Sequence, residues 1–274
     1  MRASAVTLNL LVPLLYLLAV ILYAVAFLQS ETKVERAKRY ALYLAAGVHL
    51  LYLCLLAWAH QSLPILSVYQ VMSTIALTLI VTYLFIELAT GESSTGAFVV
   101  SVALVFQALS SMFVSVAVPV ETSVTSPVLA LHIIAALLGY SAISIAGIYG
   151  LLYMALLRQI QTNRFGTLFE RLPNLETLEK MSLYAVRFGF FFLTLAFIMG
   201  ALWIPESQGR FSFKDAKLLG LIVVWLIYGI NILLRERLGW QGKRTAVMLA
   251  LSFLFSFLAI TALNFFSPRF HHLN

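Results

Sequence analysis

The stretch that decides the fold is SPVLALHIIAALLGYSAISIAGIYGLLYMALLR, Ser126 to Arg158. It contains no Asp, Glu, Lys or Arg before Arg158, and its apolar run exceeds the roughly 20 residues that a helix needs to cross a bilayer. We therefore interpret it as a membrane span. Its one histidine, His132, lies close to the beginning of that span, where an imidazole needs an explanation.

The rest of the chain has the same apolar character. Of 274 residues, 62% are hydrophobic and 11% are charged, whereas soluble domains carry about 25% charged residues. The short alternating segments of a membrane β-barrel do not occur. We predict an all-α, polytopic integral membrane protein that forms a single membrane domain over residues 1–274. Its eight predicted spans are 9–29, 40–59, 66–89, 97–118, 127–157, 181–203, 218–234 and 245–266.

The net charge and the cysteine content argue against three classes of function. The net charge of +7 comes from short basic clusters between the spans, as topology signals do. A nucleic-acid site would need a continuous basic face. The single cysteine, Cys54, excludes an internal disulfide and any CxxC or CxxCH motif. The chain is therefore neither a thiol oxidoreductase nor itself a c-type cytochrome.

The distribution of lysine and arginine predicts the orientation in the membrane. The connections after spans one, five and seven contain twelve of them: Lys33, Arg36, Lys38, Arg39, Arg158, Arg164, Arg171, Lys180, Arg235, Arg237, Lys243 and Arg244. The opposite side has five, namely Arg2, Arg210, Lys214, Lys217 and Arg269, while Arg187 lies inside span six. The positive-inside rule then places both termini on the outer face.

With this orientation, four of the five histidines belong to the outer face: His60, His132, His271 and His272. A neutral imidazole is a common ligand of haem iron, and two of them from different spans would clamp a haem. Zinc would require three or four converging ligands. The sequence contains no HxxxH or HExxH motif that would place two histidines on one helix face for such a site. The alternatives are interfacial solvation for His132, His271 and His272, and a structural role for His60.

The fifth histidine, His49, lies near the middle of span two. An ionisable group at that depth suggests a function. A hydrogen bond to a neighbouring helix would satisfy a neutral imidazole equally well. For Arg187 we expect a side chain that extends to the membrane interface.

Four stretches, in order and with matching span spacing, resemble the cytochrome c assembly family of haem-handling membrane proteins, which includes CcsA, HemX and YpjD types. They are HQSLPILSVYQVMS, SPVLALHIIAALLGYSAISIAGIYGLLYMALL, RLPNLETLEKMSLYAVRFGFFFLTLAFIMGALW and VVWLIYGINILLRERLGWQGKRTAVMLALSFLFSFLAITALNFFSPRFHH. The resemblance is strongest over residues 55–274. In the family, two outer histidines are axial haem ligands that flank a tryptophan-rich loop.

The resemblance implies that His132 and His271 are the axial ligands of haem iron, with His272 as an adjacent substitute. In the loop QGRFSFKDAKL, Asp215 and Lys217 match the family pattern and Phe211 replaces an aromatic residue. The candidate haem-binding residues are His132, His271, His272, Trp203, Phe211, Asp215 and Lys217.

The sequence departs from the family pattern at positions that a haem lyase needs. Most tryptophans of the loop are missing, although Trp203 just upstream remains, and Leu233 stands where larger family members have an intramembrane histidine. These losses argue against a stand-alone haem lyase.

The resemblance therefore implies an accessory of cytochrome c biogenesis in the bacterial inner membrane. It would bind or present haem on the outer face and work with other maturation proteins. The alternative is a HemX-type regulator of haem biosynthesis that contacts a cytoplasmic partner through residues 158–180. A small-solute transporter gains little support, because we find no inverted repeat.

Overall fold

The computed structural model describes residues 2–29, 32–65, 67–113, 126–208 and 216–266, with side chains for 6–29, 32–65, 67–113, 126–203, 219–256 and 258. Within these ranges the regular structure is entirely helical, as the composition predicts. The helices are α1 (Arg2–Leu28), α2 (Thr32–His60), α3 (Val68–Thr90), α4 (Gly96–Phe113), α5 (Pro127–Gln161), α6 (Thr167–Arg171), α7 (Leu175–Gln208), α8 (Ala216–Leu238) and α9 (Lys243–Phe266).

Seven of these helices are long and apolar enough to cross a membrane among the residues that the structure describes: α1 to α5, α7 and α8. They coincide with the first seven predicted spans, of which residues 114–118 lie outside the described part of the chain, and the eighth predicted span coincides with α9, a helix of 24 residues. Several helices extend beyond the predicted spans: α1 and α2 begin seven and eight residues earlier, and α7 is longer at both ends. Hydropathy marks only the apolar part, whereas backbone hydrogen bonding continues into flanking residues such as the polar beginnings of α2 and α7. The fold class is confirmed, and the orientation of the termini stays a prediction.

The chain divides into two compact units, which we describe separately. The first comprises Met1–Thr125 and Gly166–Pro173. In it α1 packs against α2 and α4, and α3 packs against α4. Along α1, the buried face repeats every three or four residues through Asn9, Val12, Tyr16, Ala19 and Tyr23, which is the spacing of one helical face. Three of these five side chains are polar or hydroxylated, so the core of this unit contains hydrogen-bonding groups.

The second unit comprises Ser126–Phe165 and Asn174–Asn274. Here α5 packs along α7 and against α9, and α8 contacts α7 and α9. Glycines allow the close approach of α5 and α7. A Cβ added at Gly139 would lie 2.8 Å from a methyl carbon of Leu193, and one at Gly189 would lie 3.3 Å from the Gly139 carbonyl oxygen. Small residues at such contacts are typical of packed membrane helices.

The segment 158–180, which the sequence suggests as a contact for a cytoplasmic partner, is largely helical. It includes the end of α5, all of α6 and the beginning of α7. Arg187, three turns into α7, pairs with Glu236 of α8, with 2.8 Å between Nη2 and Oε1. Its charge is thus met by a carboxylate in the last turn of the neighbouring helix.

Candidate functional site

His132 occupies the second turn of α5, and local sequence fixes where that helix begins. The Ser126 hydroxyl caps the helix by accepting a hydrogen bond from the Leu129 N–H at 3.4 Å, and Pro127 stands at the first helical position. Both are favoured helix-start residues. His132 therefore lies about one turn inside the helix end and is half-buried.

One of the two ring nitrogens of His132 is hydrogen-bonded to α7. Nδ1 lies 2.7 Å from the backbone carbonyl oxygen of Ala196, 64 residues further along the chain. A carbonyl oxygen only accepts hydrogen bonds, so Nδ1 must be the protonated nitrogen that donates. The neutral ring then has its lone pair on Nε2, which makes no hydrogen bond to any residue that the structure describes.

This tautomer is the one that metal-binding histidines use. A ligating imidazole commonly donates its other N–H to a backbone carbonyl, which fixes the ring orientation and raises the basicity of the ligating nitrogen. The hydrogen bond from His132 Nδ1 to the Ala196 carbonyl gives this ring the same arrangement. Its donor chemistry therefore fits an axial ligand of haem iron.

Gly200 makes room for the His132 ring. A Cβ at this position would lie 2.9 Å from Nδ1 and 3.0 Å from Cε1 of His132. Any side chain here would displace the imidazole from α7. Sequence reasoning missed both Gly200 and the Ala196 carbonyl, and the available signal was a glycine three residues before a tryptophan in an apolar helix.

Trp203 lies on the same side of α7 as the His132 contacts. Positions 196, 200 and 203 follow one another at the spacing of a single helical face, so Trp203 comes about one turn after Gly200. Its side chain is half-buried. Of the predicted site residues, Trp203 thus lies on the face of α7 that the His132 ring contacts.

The side chains of the other predicted site residues lie outside the described part of the structure. Lys217 is the second residue of α8, and the position of its side chain lies outside the described part of the structure. The remaining ones, Phe211, Asp215, His271 and His272, lie outside the described residues. The assignment of these residues, and of His132 and Trp203, to a haem site stays a prediction.

His49 is fully buried in the first unit, and both of its ring nitrogens are hydrogen-bonded. The Tyr16 hydroxyl lies 2.8 Å from Nδ1, and the Ser73 hydroxyl lies 2.9 Å from Nε2. Ser73 donates its own proton to the Gln107 amide oxygen at 2.8 Å. It must therefore accept from His49, which assigns the proton of the ring to Nε2 and leaves Nδ1 to accept from Tyr16.

This chain of hydrogen bonds joins all four long helices of the first unit. It continues from the Gln107 amide nitrogen to the Ser111 hydroxyl at 2.9 Å. A second branch links Tyr52 to Asn9, and Asn9 to the Ser111 carbonyl oxygen. Of the two alternatives for His49, the structure has the hydrogen-bonded imidazole, whose nitrogens are both engaged.

His60 is the last residue of α2. It is 6% exposed, and its Nε2 has no hydrogen-bond partner among the described residues. The same part of the chain contains no group of three or more His, Cys, Asp or Glu side chains arranged to hold a metal ion. Within the described residues, His132 is therefore the histidine with one ring nitrogen fixed by a hydrogen bond and the other available to a ligand.

Comparison with known proteins adds to this geometry. The sequence profile described as cytochrome C assembly protein matches residues 38–271, which span both units. The cytochrome c biogenesis protein CcsA of Guillardia theta is 25% identical over 227 residues, covering 76% of this chain and 75% of that protein. Protein HemX of Bacillus subtilis (strain 168) is 26% identical over 249 residues, covering 88% of both chains.

Proposed function

The chain belongs to the cytochrome c assembly protein family, and from that premise we propose that it is a haem-handling membrane protein. In this proposal it binds or presents haem on the outer face of the bacterial inner membrane, as an accessory to other cytochrome c maturation proteins. The observation that carries the proposal is the hydrogen bond from His132 Nδ1 to the Ala196 carbonyl. This hydrogen bond fixes the orientation of the ring and leaves the lone pair on Nε2 for a metal.

Each residue at the α5–α7 interface has a distinct task in this proposal. The Ala196 carbonyl holds the imidazole in one tautomer, and Gly200 leaves the space for it. Trp203 supplies an apolar ring on the same side of α7 for the macrocycle. Haem, when bound, would supply an iron that accepts nitrogen ligands. His271 would provide the second nitrogen ligand, and cationic residues such as Lys217 would contact the propionates.

The test is the visible absorption spectrum of the purified protein, oxidised and then reduced with dithionite. We expect a Soret band, and sharp α and β bands after reduction, as six-coordinate haem gives. His132→Gly should lose that signature, and added imidazole should restore it in part, because free imidazole can replace the missing ring. A wild-type protein that takes up no haem even when haem is added would refute the proposal.

The second candidate function is a HemX-type regulator of haem biosynthesis that contacts a cytoplasmic partner. Two observations favour it: similarity to Protein HemX over 88% of both chains, and the exposure of 40% of the Phe169 side chain on α6. An exposed aromatic ring beside charged residues is typical of a contact surface. Phe169→Ser should then abolish regulation and leave haem content unchanged. His132→Gly should do the opposite.

A further inference from the structure

The connection between α8 and α9 forms an open pocket of about 410 Å³ in the second unit. Its walls are the consecutive residues Leu238 to Gln241 together with Lys243 and Arg244. This pocket takes no part in the candidate haem site. The residues around it combine positive charge with apolar surface, and the backbone that carries them is held in one conformation.

Two glycines and one carboxylate hold this connection. Gly239 and Gly242 have φ values of 63° and 67°, in the left-handed region that favours glycine. The Gly242 N–H donates to Glu179 Oε2 at 3.0 Å, and the other oxygen of that carboxylate accepts from Arg235 at 2.8 Å. A Cβ at Gly242 would lie 3.2 Å from the Tyr153 hydroxyl oxygen. The pocket is therefore preorganised, which lowers the entropic penalty of binding.

The two cations of the pocket are free to bind an anion. Four other basic side chains of the described residues form ion pairs: Lys38 with Glu35, Arg39 with Glu87, Arg187 with Glu236, and Arg235 with Glu179. Lys243 and Arg244 are both exposed, and the structure gives neither an ion pair among the described residues. Two neighbouring unpaired cations favour a ligand with negative charge.

Apolar surface next to these cations identifies the kind of anion. Leu238 exposes 65% of its surface at the rim, and the half-buried Trp240 lines the pocket. Tryptophan is typical of the level of lipid head groups in membrane proteins. A free phosphate ion would gain nothing from an exposed leucine, whereas a phospholipid places acyl chain beside its phosphate. We propose that this pocket binds the phosphate head group of an anionic phospholipid.

The expected affinity follows from the two charges. Each basic residue close to an anionic membrane surface contributes enough binding energy that losing two of them lowers affinity by about 30-fold. The test is native mass spectrometry of the full-length protein in detergent, titrated with phosphatidylglycerol or with phosphatidylcholine. The double variant Lys243→Gln, Arg244→Gln should lose its preference for phosphatidylglycerol, while the wild-type protein retains a bound molecule.

The matched control is Arg164→Gln, Lys180→Gln, which removes the same charge from exposed positions outside the pocket. Equal loss in both double variants, or no preference in the wild-type protein, would overturn the proposal in favour of diffuse attraction. Displacement of the lipid by an equal concentration of glycerol 3-phosphate would also overturn it, because the site would then be one for free phosphate. Should the pocket variant fail to purify as a single species, Lys243→Gln alone should weaken binding about fivefold.

Discussion

Gly200→Ala is the substitution that most directly tests how the fold prepares His132. The new Cβ would lie 2.9 Å from Nδ1 and 3.0 Å from Cε1 of that ring, whereas ordinary contacts are about 3.5–4.0 Å. The imidazole must therefore move by about 0.6–1.0 Å. The hydrogen bond to Ala196, now 2.7 Å long, would then stretch beyond the roughly 3.2 Å limit of a good N–H···O bond.

The expected result has two parts. Removing the partner that orients a metal-ligating histidine lowers metal affinity by about 10–100-fold, so we expect a comparable loss of haem affinity in a haem titration. The reduced spectrum should also shift from six-coordinate towards five-coordinate haem. Independently of haem, overpacking of this kind destabilises a protein by about 1–3 kcal/mol, which thermal unfolding of the haem-free protein will measure.

The chain provides a matched control in Gly47→Ala. Gly47 lies within α2, and a Cβ there would meet nothing within 4 Å. Alanine should therefore be neutral or should stabilise the helix by up to about 1 kcal/mol. If Gly200→Ala matches Gly47→Ala in both haem affinity and melting temperature, the argument for a ring held against α7 is wrong.

Two further substitutions test the contacts on which the units depend. Ser73→Ala leaves the His49 Nε2–H and a buried amide oxygen without partners, so it should destabilise the protein by about 1–3 kcal/mol in detergent unfolding. Ser144→Ala, which loses only a bond within its own helix, should change little. Glu179→Gln weakens the contact to Arg235, and limited proteolysis should then cleave the α8–α9 connection faster than in the wild-type protein. Equal cleavage rates would show that the connection does not depend on this carboxylate.

Much of the fold could be predicted because the bilayer imposes a local rule. A chain in hydrocarbon must satisfy its backbone hydrogen bonds within each segment, so long apolar runs become helices. The predicted spans accordingly match the helices, from 9–29 in α1 to 245–266 in α9. The extensions of α2 and α7 could not be predicted, because polar residues at a membrane surface are compatible with either helix or loop.

The candidate site could also be predicted only in part from the sequence. Sequence alone predicted His132 and Trp203 as site residues, His132 as an imidazole near a span end and Trp203 through the resemblance to the cytochrome c assembly family. It could not show that His132 contacts the face of α7 on which Trp203 lies. That depends on the rotation and depth of α5 against α7, which glycines such as Gly139 and Gly189 set by contact.

The sequence by itself determined that the chain is helical and inserted in a membrane, because hydropathy acts within each segment. Only the tertiary structure decided which nitrogen of His132 is protonated, and that both nitrogens of His49 are hydrogen-bonded. The His132 proton is assigned by a carbonyl 64 residues away, and the His49 proton by Ser73 and Gln107 on two other helices. Tautomers are set by hydrogen-bond partners, and those partners come together only when the helices pack.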